Sequence, residues 1–331
     1  MHSDFLLVAH SREGHRQAYI DQFSTLAVDA GLNCTVVENW KPTLRFRGPV
    51  LFLMIEESFF GYVLSAVYRS LFARRTTGLL FRGREAVEAR GVRLKLKGLI
   101  LRLLRGAPPV TTLSIVPFSA CPGLASVADN WIDDPQLWDL DDLATPPTPL
   151  SSNVAKTASG RNVLVSLGAQ NGSKGLDFLI QTWMSRPELR DHWLFVAAGK
   201  VSPDMAALAA DFVGAGGVVV NQFISDEELS SLYGTATVVW GVYAPHYDQA
   251  SGIFGRAVQY GKPILLRRGS SIARHAEVLG ARAVAIDYGD PEAAVKGLRQ
   301  AVEGSPSISS SPQDMRVRSI GIVLAGLGQS V

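Results

Sequence analysis

Two short segments of this sequence carry residues suited to holding an anion. The first, Gly168-Ala-Gln-Asn-Gly-Ser-Lys174-Gly175, stands between an apolar run and a helical pattern. A glycine-containing turn that opens into a helix leaves backbone N–H groups free and adds the positive end of the helix dipole. Lys174, at that helix start, supplies a point charge suited to phosphate. The spacing is neither that of a Walker A loop nor that of G-x-G-x-x-G. The plain alternative is an ordinary strand-to-helix turn with a solvated lysine. The second segment is Tyr247-Asp248-Gln249-Ala250-Ser251-Gly252. Ser251 and Gly252 offer two backbone amides at another helix start, and Gly252 lets ligand oxygens approach closely. Arg256 follows one turn later on the same face; a serine N-cap and a surface arginine are the alternative reading. Elsewhere, His10 and His15 bracket Glu13 and Gly14 in a polar loop. Imidazole titrates near neutrality, so either histidine can take a hydroxyl proton; two solvated loop histidines are the other reading. Glu56-Glu57, after the third expected strand, reads as a solvated helix start, with a part in shaping an acceptor site as the alternative.

These segments need elements to hold them. Phe5–Ala9 is a continuous apolar run, the pattern of a strand covered on both faces. It is followed by the histidine loop, a helical spacing over Gln17–Ala30 and a strand at Cys34–Val37. Further strands are expected at Val50–Met54, Gly78–Phe81 and Val110–Phe118. In the second half, strands at Val163–Leu167, Leu194–Ala198, Val218–Val220, Thr237–Trp240, Pro263–Leu266 and Ala283–Ile286 alternate with helices. One of those helices opens on the capping box Ser225-Asp-Glu-Glu228. Strict alternation implies parallel, doubly wound sheets with right-handed crossovers, which bind ligands at the carboxyl ends of their strands. Two such α/β domains in tandem are expected. The first spans 1–145, a Pro/Ser/Thr-rich linker 146–160, and the second domain 161–304. A tail, 305–331, carries an apolar segment, Met315–Leu327, able to return to the first domain as a helix.

Bulk properties agree. A length of 331 residues favours two domains, and 47% hydrophobic with 19% charged residues suits sizeable cores. Two cysteines, Cys34 and Cys121, without a Cys/His cluster, support neither a disulfide framework nor a structural zinc site. The apolar stretch 50–73 contains Glu56, Glu57 and Arg69, short of the ~20 uninterrupted residues of a membrane span. No signal-peptide pattern opens the chain, so a cytoplasmic location is expected.

The succession of features in the second half resembles the donor domain of GT-B glycosyltransferases, most closely family 4. The matching stretches are Val165-Ser-Leu-Gly168 with Lys174-Gly175, Phe195-Val-Ala-Ala-Gly199, Val220-Asn-Gln-Phe223 and Glu227-Glu-Leu-Ser-Ser-Leu-Tyr233. They continue with Asp248 to Gly252 and Ala257-Val-Gln-Tyr-Gly261-Lys-Pro263-Ile264. The resemblance implies two Rossmann-like domains facing a central cleft and a nucleoside diphosphate sugar, UDP or GDP, as co-substrate. It also implies transfer with retention and without a required metal or other cofactor. It puts Gly168, Lys174, Gly199, Ser251 and Gly252 at the donor phosphates, Asn221 and Phe223 at the base, and the Asp248 carboxylate toward the sugar ring. Arg256 could pair with the phosphates or the ribose, or mean altered or lost catalysis. His10, Gly14 and His15 fall where the family sets groups near the donor phosphate and the acceptor. Two positions depart from the pattern: Ala169 stands where an arginine is usual, and Arg256 replaces the second of two glutamates.

From Arg69 to Arg105 there are eleven basic residues against Glu85 and Glu88. Leu99, Ile100, Leu103 and Leu104 share one helical arc there, and Arg102 and Arg105 another. That combination suits an anionic membrane surface, so a peripheral position at the inner face of the plasma membrane is expected. A packed helix with a solvated basic edge is the alternative, and no nucleic-acid module is present. A saccharide or lipid-linked acceptor follows as the expected second substrate. The rival functions are a nucleotide-sugar 2-epimerase and a non-catalytic GT-B-like scaffold.

Overall fold

The computed structural model describes residues 3–10, 16–88, 91–138, 146–248, 251–304 and 312–329. The chain divides into two compact units, 1–139 with 310–331, and 140–309. In unit 1 the order is β1 (Ser3–Val8), α1 (Arg16–Asp29), β2 (Leu32–Val37), β3 (Val50–Phe52), α2 (Phe59–Ser70) and β4 (Thr76–Leu80). There follow α3 (Gly83–Val87), α4 (Val92–Leu104), β5 (Val110–Ser114), β6 (Asn130–Trp131) and α5 (Pro135–Trp138). All six strands are parallel, in the order β2-β1-β3-β4-β5-β6. The central strands β1, β3, β4 and β5 are buried on both faces, as Leu6, Leu7, Val50, Leu51 and Leu79 illustrate, and so carry apolar runs. The edge strands β2 and β6 are partly exposed. The fifth strand ends at Ser114, short of Phe118, because the Ser114 hydroxyl takes the Val116 amide and turns the chain.

Unit 2 contains α6 (Pro149–Ala158), β7 (Asn162–Leu167), α7 (Leu176–Ser185), β8 (Trp193–Ala198), α8 (Ala206–Gly214), β9 (Val218–Val220) and α9 (Asp226–Thr235). Then come β10 (Val238–Gly241), α10 (Gly252–Gln259), β11 (Ile264–Arg267), α11 (Ser271–Leu279), β12 (Ala283–Ile286) and α12 (Pro291–Glu303). Its parallel sheet runs β12-β11-β10-β7-β8-β9. Trp183, Phe178, Phe195, Phe212 and Trp240 fill its core. The stretch expected to be a linker holds α6. Its Thr148-Pro149-Leu-Ser151 is a helix start, with Pro at the first turn and Thr148 and Ser151 capping each other reciprocally. A last helix, α13 (Pro312–Leu327), belongs to unit 1. Arg318 and the Ser319 hydroxyl fasten it to Asp133, and the Arg318 guanidinium lies 3.5 Å over the Trp131 ring.

Two residues of unit 1 differ from their sequence reading. Arg69, counted among the surface cations, is fully buried. Its guanidinium donates to the carbonyls of Thr43, Phe46, Gly48 and Arg75 and to the Thr76 hydroxyl. One side chain thus satisfies backbone acceptors around the α2–β4 turn that water cannot reach. Glu56 is no solvated helix start. Its Oε1 accepts from the Arg82 amide, and its Oε2 is buried with no partner among the described residues. Burial raises its pKa to about 7, against the pull of the Arg82, Glu56 and Phe81 backbone donors and the Arg82 charge.

A carboxyl raised in this way stabilises the fold below the unfolded carboxylate range, and that stability is lost as pH rises through about 7. Thermal melts of the intact chain should fall, relative to those of a variant without this carboxyl, between pH 5 and pH 8. Glu56→Gln is such a variant and should be more stable than the parent at pH 8 by about 1–3 kcal/mol. Identical pH profiles for the two proteins would contradict the burial assigned to this carboxyl.

Candidate functional site

The strand order of unit 2 reverses between β7 and β10: from β7 the chain builds outward through β8 and β9, then returns to β10 and continues the other way. The loops leaving β7 and β10 border the crevice where an open parallel sheet binds its ligand. The first loop is rigidly built. Gly168 turns it with φ +84, and a β-carbon on Gly199, at the end of β8, would fall on the Gly168 carbonyl. The fully buried Gln170 side chain donates to the Ser166, Gly168 and Ala198 carbonyls at 3.1, 2.9 and 3.2 Å, and accepts from the Ser166 hydroxyl at 3.0 Å. Asn171 then caps the Lys174 amide at 3.0 Å. Gly175 adopts φ +73 against the Val242 carbonyl, which a β-carbon there would strike. Only glycine allows the two loops to touch at that point.

The second loop lies on the first through named contacts. The Ala244 amide donates to the Ser173 carbonyl at 3.1 Å, and the Ser173 hydroxyl and His246 Nε2 share a hydrogen bond of 3.0 Å. The Lys174 ammonium sits 4.2 Å from the Tyr243 ring centre and 4.6 Å from that of Tyr247. The Tyr243 hydroxyl pairs with the Ser251 hydroxyl at 2.7 Å. That bond occupies the group which would otherwise cap α10; Ser251 makes no side-chain cap, and the first amides of α10 receive none from it. Gly168, Lys174, Gly199, Ser251 and Gly252 are therefore gathered around one crevice.

The remaining candidates sit differently. The Asp248 carboxylate accepts from the Ser271 amide and hydroxyl at 2.8 and 2.6 Å and pairs with Arg267 at 3.3 Å. The start of α11 and a guanidinium draw this acid, and Arg267 also donates to the Tyr243 carbonyl at 3.1 Å. Arg256, half-buried, donates to Gln259 at 3.0 Å. Its charge lies near Tyr233, whose pKa burial raises well above normal and Arg256 partly lowers. Asn221 accepts the Val201 amide at 2.9 Å, joining the loops after β8 and β9, while the Phe223 ring beyond it is 83% exposed. In unit 1 the order reverses between β1 and β3, and His10 is exposed in the bend after β1. Gly14 and His15 lie outside the described residues. Among the described residues no group of three His, Cys, Asp or Glu side chains converges as a metal site would require.

Gln170, Tyr243, His246 and Tyr247 were not singled out from sequence. Gln170 sits inside the glycine loop as an unremarkable polar residue, and its role exists only once β8 lies beside β7. The tyrosines and His246 occupy a loop with no periodicity, so nothing in their spacing points at Ser173 and Lys174.

No protein-family model matches the chain, and no curated protein matches its sequence. Solved structures do match its fold. HepE of Anabaena, in complex with UDP, is 12% identical with a TM-score of 0.65, over 98% of this chain and 98% of that one. A UDP-forming α,α-trehalose-phosphate synthase from Burkholderia xenovorans is 10% identical with a TM-score of 0.61, over 99% of each chain. WaaG, a glycosyltransferase involved in lipopolysaccharide biosynthesis, is 15% identical with a TM-score of 0.54, over 96% of this chain and 95% of that one. The chain has the fold of these GT-B proteins, two Rossmann-like domains, as the succession of motifs led one to expect.

Proposed function

We propose that this chain is a glycosyltransferase that moves a sugar from a nucleoside diphosphate sugar, with UDP or GDP as the nucleotide, to a saccharide or lipid-linked acceptor. The observation that carries this reading is the Lys174 ammonium beside the uncapped start of α10, at the switch point of a doubly wound sheet. Among the described residues that ammonium has no carboxylate partner. In the transfer, the bond from the anomeric carbon to the diphosphate oxygen breaks and one to an acceptor oxygen forms. The diphosphate leaves with the bonding pair, and its departing oxygen takes the proton that the acceptor hydroxyl gives up. Lys174, the amides at Ser251 and Gly252 and the two helix dipoles stabilise the charge that gathers on that leaving group. Phe223 offers a ring face for the base. The UDP bound to HepE and the UDP-forming reaction of the trehalose-phosphate synthase support a nucleotide of this kind. Retention at the anomeric carbon, without a metal ion, is part of the proposal. A second reading, a GT-B-like protein that binds nucleotide without transferring sugar, draws on Asp248, whose carboxylate is engaged by Arg267 and Ser271.

The acceptor side of the proposal includes an anionic membrane surface. No helix among the described residues is long and apolar enough to cross a membrane. Of the seventeen large apolar residues exposed among the described residues, ten lie on or beside α2 and α4: Phe60, Leu64, Val67, Tyr68, Leu71, Phe72, Val92, Leu96, Leu99 and Leu103. On α4 they recur every three or four residues along one stripe, and Leu71 and Leu103 are 75% and 73% exposed. The two helices meet where Lys97 lies 5.3 Å over the Phe59 ring. Neither helix contains an acid, while α4 carries Arg93, Lys95, Lys97 and Arg102. Apolar stripes edged by cations suit insertion beneath anionic headgroups, at about 1 kcal/mol per well-placed cation. An inner-face location follows from that surface.

Assays of UDP-, GDP- and dTDP-sugars for transfer or hydrolysis test the first reading; tight UDP or GDP binding with no turnover on any acceptor would favour the second. Lys174→Ala should weaken UDP binding about tenfold and leave uridine binding unchanged. Equal losses for the two would count against a phosphate role. In flotation, the intact chain should rise with vesicles rich in anionic phospholipid and stay behind with purely zwitterionic ones. Leu71→Glu with Leu103→Glu should abolish the rise, and a double variant that floats like the parent would refute the assigned face.

A further inference from the structure

The ammonium of Lys174 is held in an unusual way for a part-buried cation. It lies over two ring faces, those of Tyr243 at 4.2 Å and Tyr247 at 4.6 Å, and the two rings meet edge to face at 5.6 Å. Among the described residues neither a carboxylate nor a carbonyl is paired with it. The attraction of a ring face for an ammonium steadies the charge without neutralising it, as an aspartate in the same place would. The box is itself fixed from behind. The Tyr243 hydroxyl is tied to Ser251 at the start of α10, and the carbonyl of Tyr243 accepts from Arg267. The backbone at Ala244 is pinned to Ser173. The loop carrying the rings and the turn carrying the lysine are thus held in register by contacts that do not involve the ammonium.

We propose that Tyr243 and Tyr247 are positioning residues that act through Lys174, presenting its ammonium to the diphosphate of the donor. This rests on the donor-site reading above and deepens it. A lysine side chain has four rotatable bonds and loses much freedom when it is pinned by a ligand. Two ring faces remove part of that freedom beforehand. They also keep a charge in the crevice that no carboxylate among the described residues cancels. The box should therefore affect recognition of the phosphates and leave recognition of the nucleoside alone. Its effect should follow the ring face rather than the hydroxyl, most clearly at Tyr247.

Calorimetric titration of the full-length chain with UDP, GDP and uridine tests this. Variants would be Tyr247→Leu, Tyr247→Phe, Tyr243→Leu and Tyr243→Phe, with each leucine change also made in a Lys174→Met background. The expected result is a loss of UDP affinity of about fivefold to tenfold for the leucine variants, and less than about twofold for Tyr247→Phe. Uridine affinity should be unchanged. Once Lys174 is methionine, the leucine changes should cost nothing further, the signature of one residue acting through another. Tyr243 is buried, so if its leucine variant melts early, the part-exposed Tyr247 carries the test. UDP affinity unchanged in Tyr247→Leu, or a loss that persists in the Lys174→Met background, would overturn the box while leaving the donor site standing. A parent chain that binds neither UDP nor GDP would overturn the donor-site reading and the box with it.

Discussion

The crevice of unit 2 depends on a buried amide. The Gln170 side chain joins the last turn of β7 to the end of β8 through three donated bonds and one accepted one, all away from solvent. An unpaired amide in that position would cost about 1–3 kcal/mol per lost partner, so the loop has one well-determined path rather than several. The rest of the crevice is placed relative to that path. Asn171 follows directly and caps the turn that holds Lys174. Gly175 can then meet the Val242 carbonyl, and through that contact the loop after β10 takes its position. The uncapped start of α10 and the tyrosine pair are the end of this sequence of constraints.

That arrangement explains which parts were legible in the residues alone. Strands buried on both faces appear as unbroken apolar runs, so β7, β8, β10 and β11 could be read to within a residue or two. Ser225 and Glu228 announce α9 by a cap whose two halves both form. The glycine loop and the Ser251-Gly252 helix start could be named because orphan amides at helix starts follow from backbone geometry. What could not be read was whatever depends on two distant segments meeting. Asp248 reads as a carboxylate facing a sugar ring, and its bonds to the start of α11 and to Arg267 form only once those distant segments are brought to it. Proline and serine at 147–152 read as a break, although the same residues, with threonine ahead of them, begin a helix.

Unit 1 shows the complementary case, in which residue type misleads about location. Arg69 and Arg102 stand on neighbouring helices, yet Arg69 serves the interior as a hub for five acceptors and Arg102 serves the surface. The leucines divide in the same way. Leu101 and Leu104 fill the core under α4, while Leu99 and Leu103 face solvent. A helix apolar around most of its circumference has more apolar surface than its own sheet can cover. The excess is the stripe that α4 leaves exposed at Val92, Leu96, Leu99 and Leu103.

Unit 1 is also discontinuous in the chain, because α13 completes it from beyond unit 2. The buried Asp133 carboxylate waits for Arg318 and Ser319, and Trp131 for the guanidinium stacked on it. During synthesis the second unit can therefore close on itself while the first is still missing a piece of its wall. Unit 1 can be completed only after α13 has been synthesised, behind the whole of unit 2. A chain without α13 would lack the helix that lies against β4 and β6 and would leave the Asp133 carboxylate without Arg318 and Ser319.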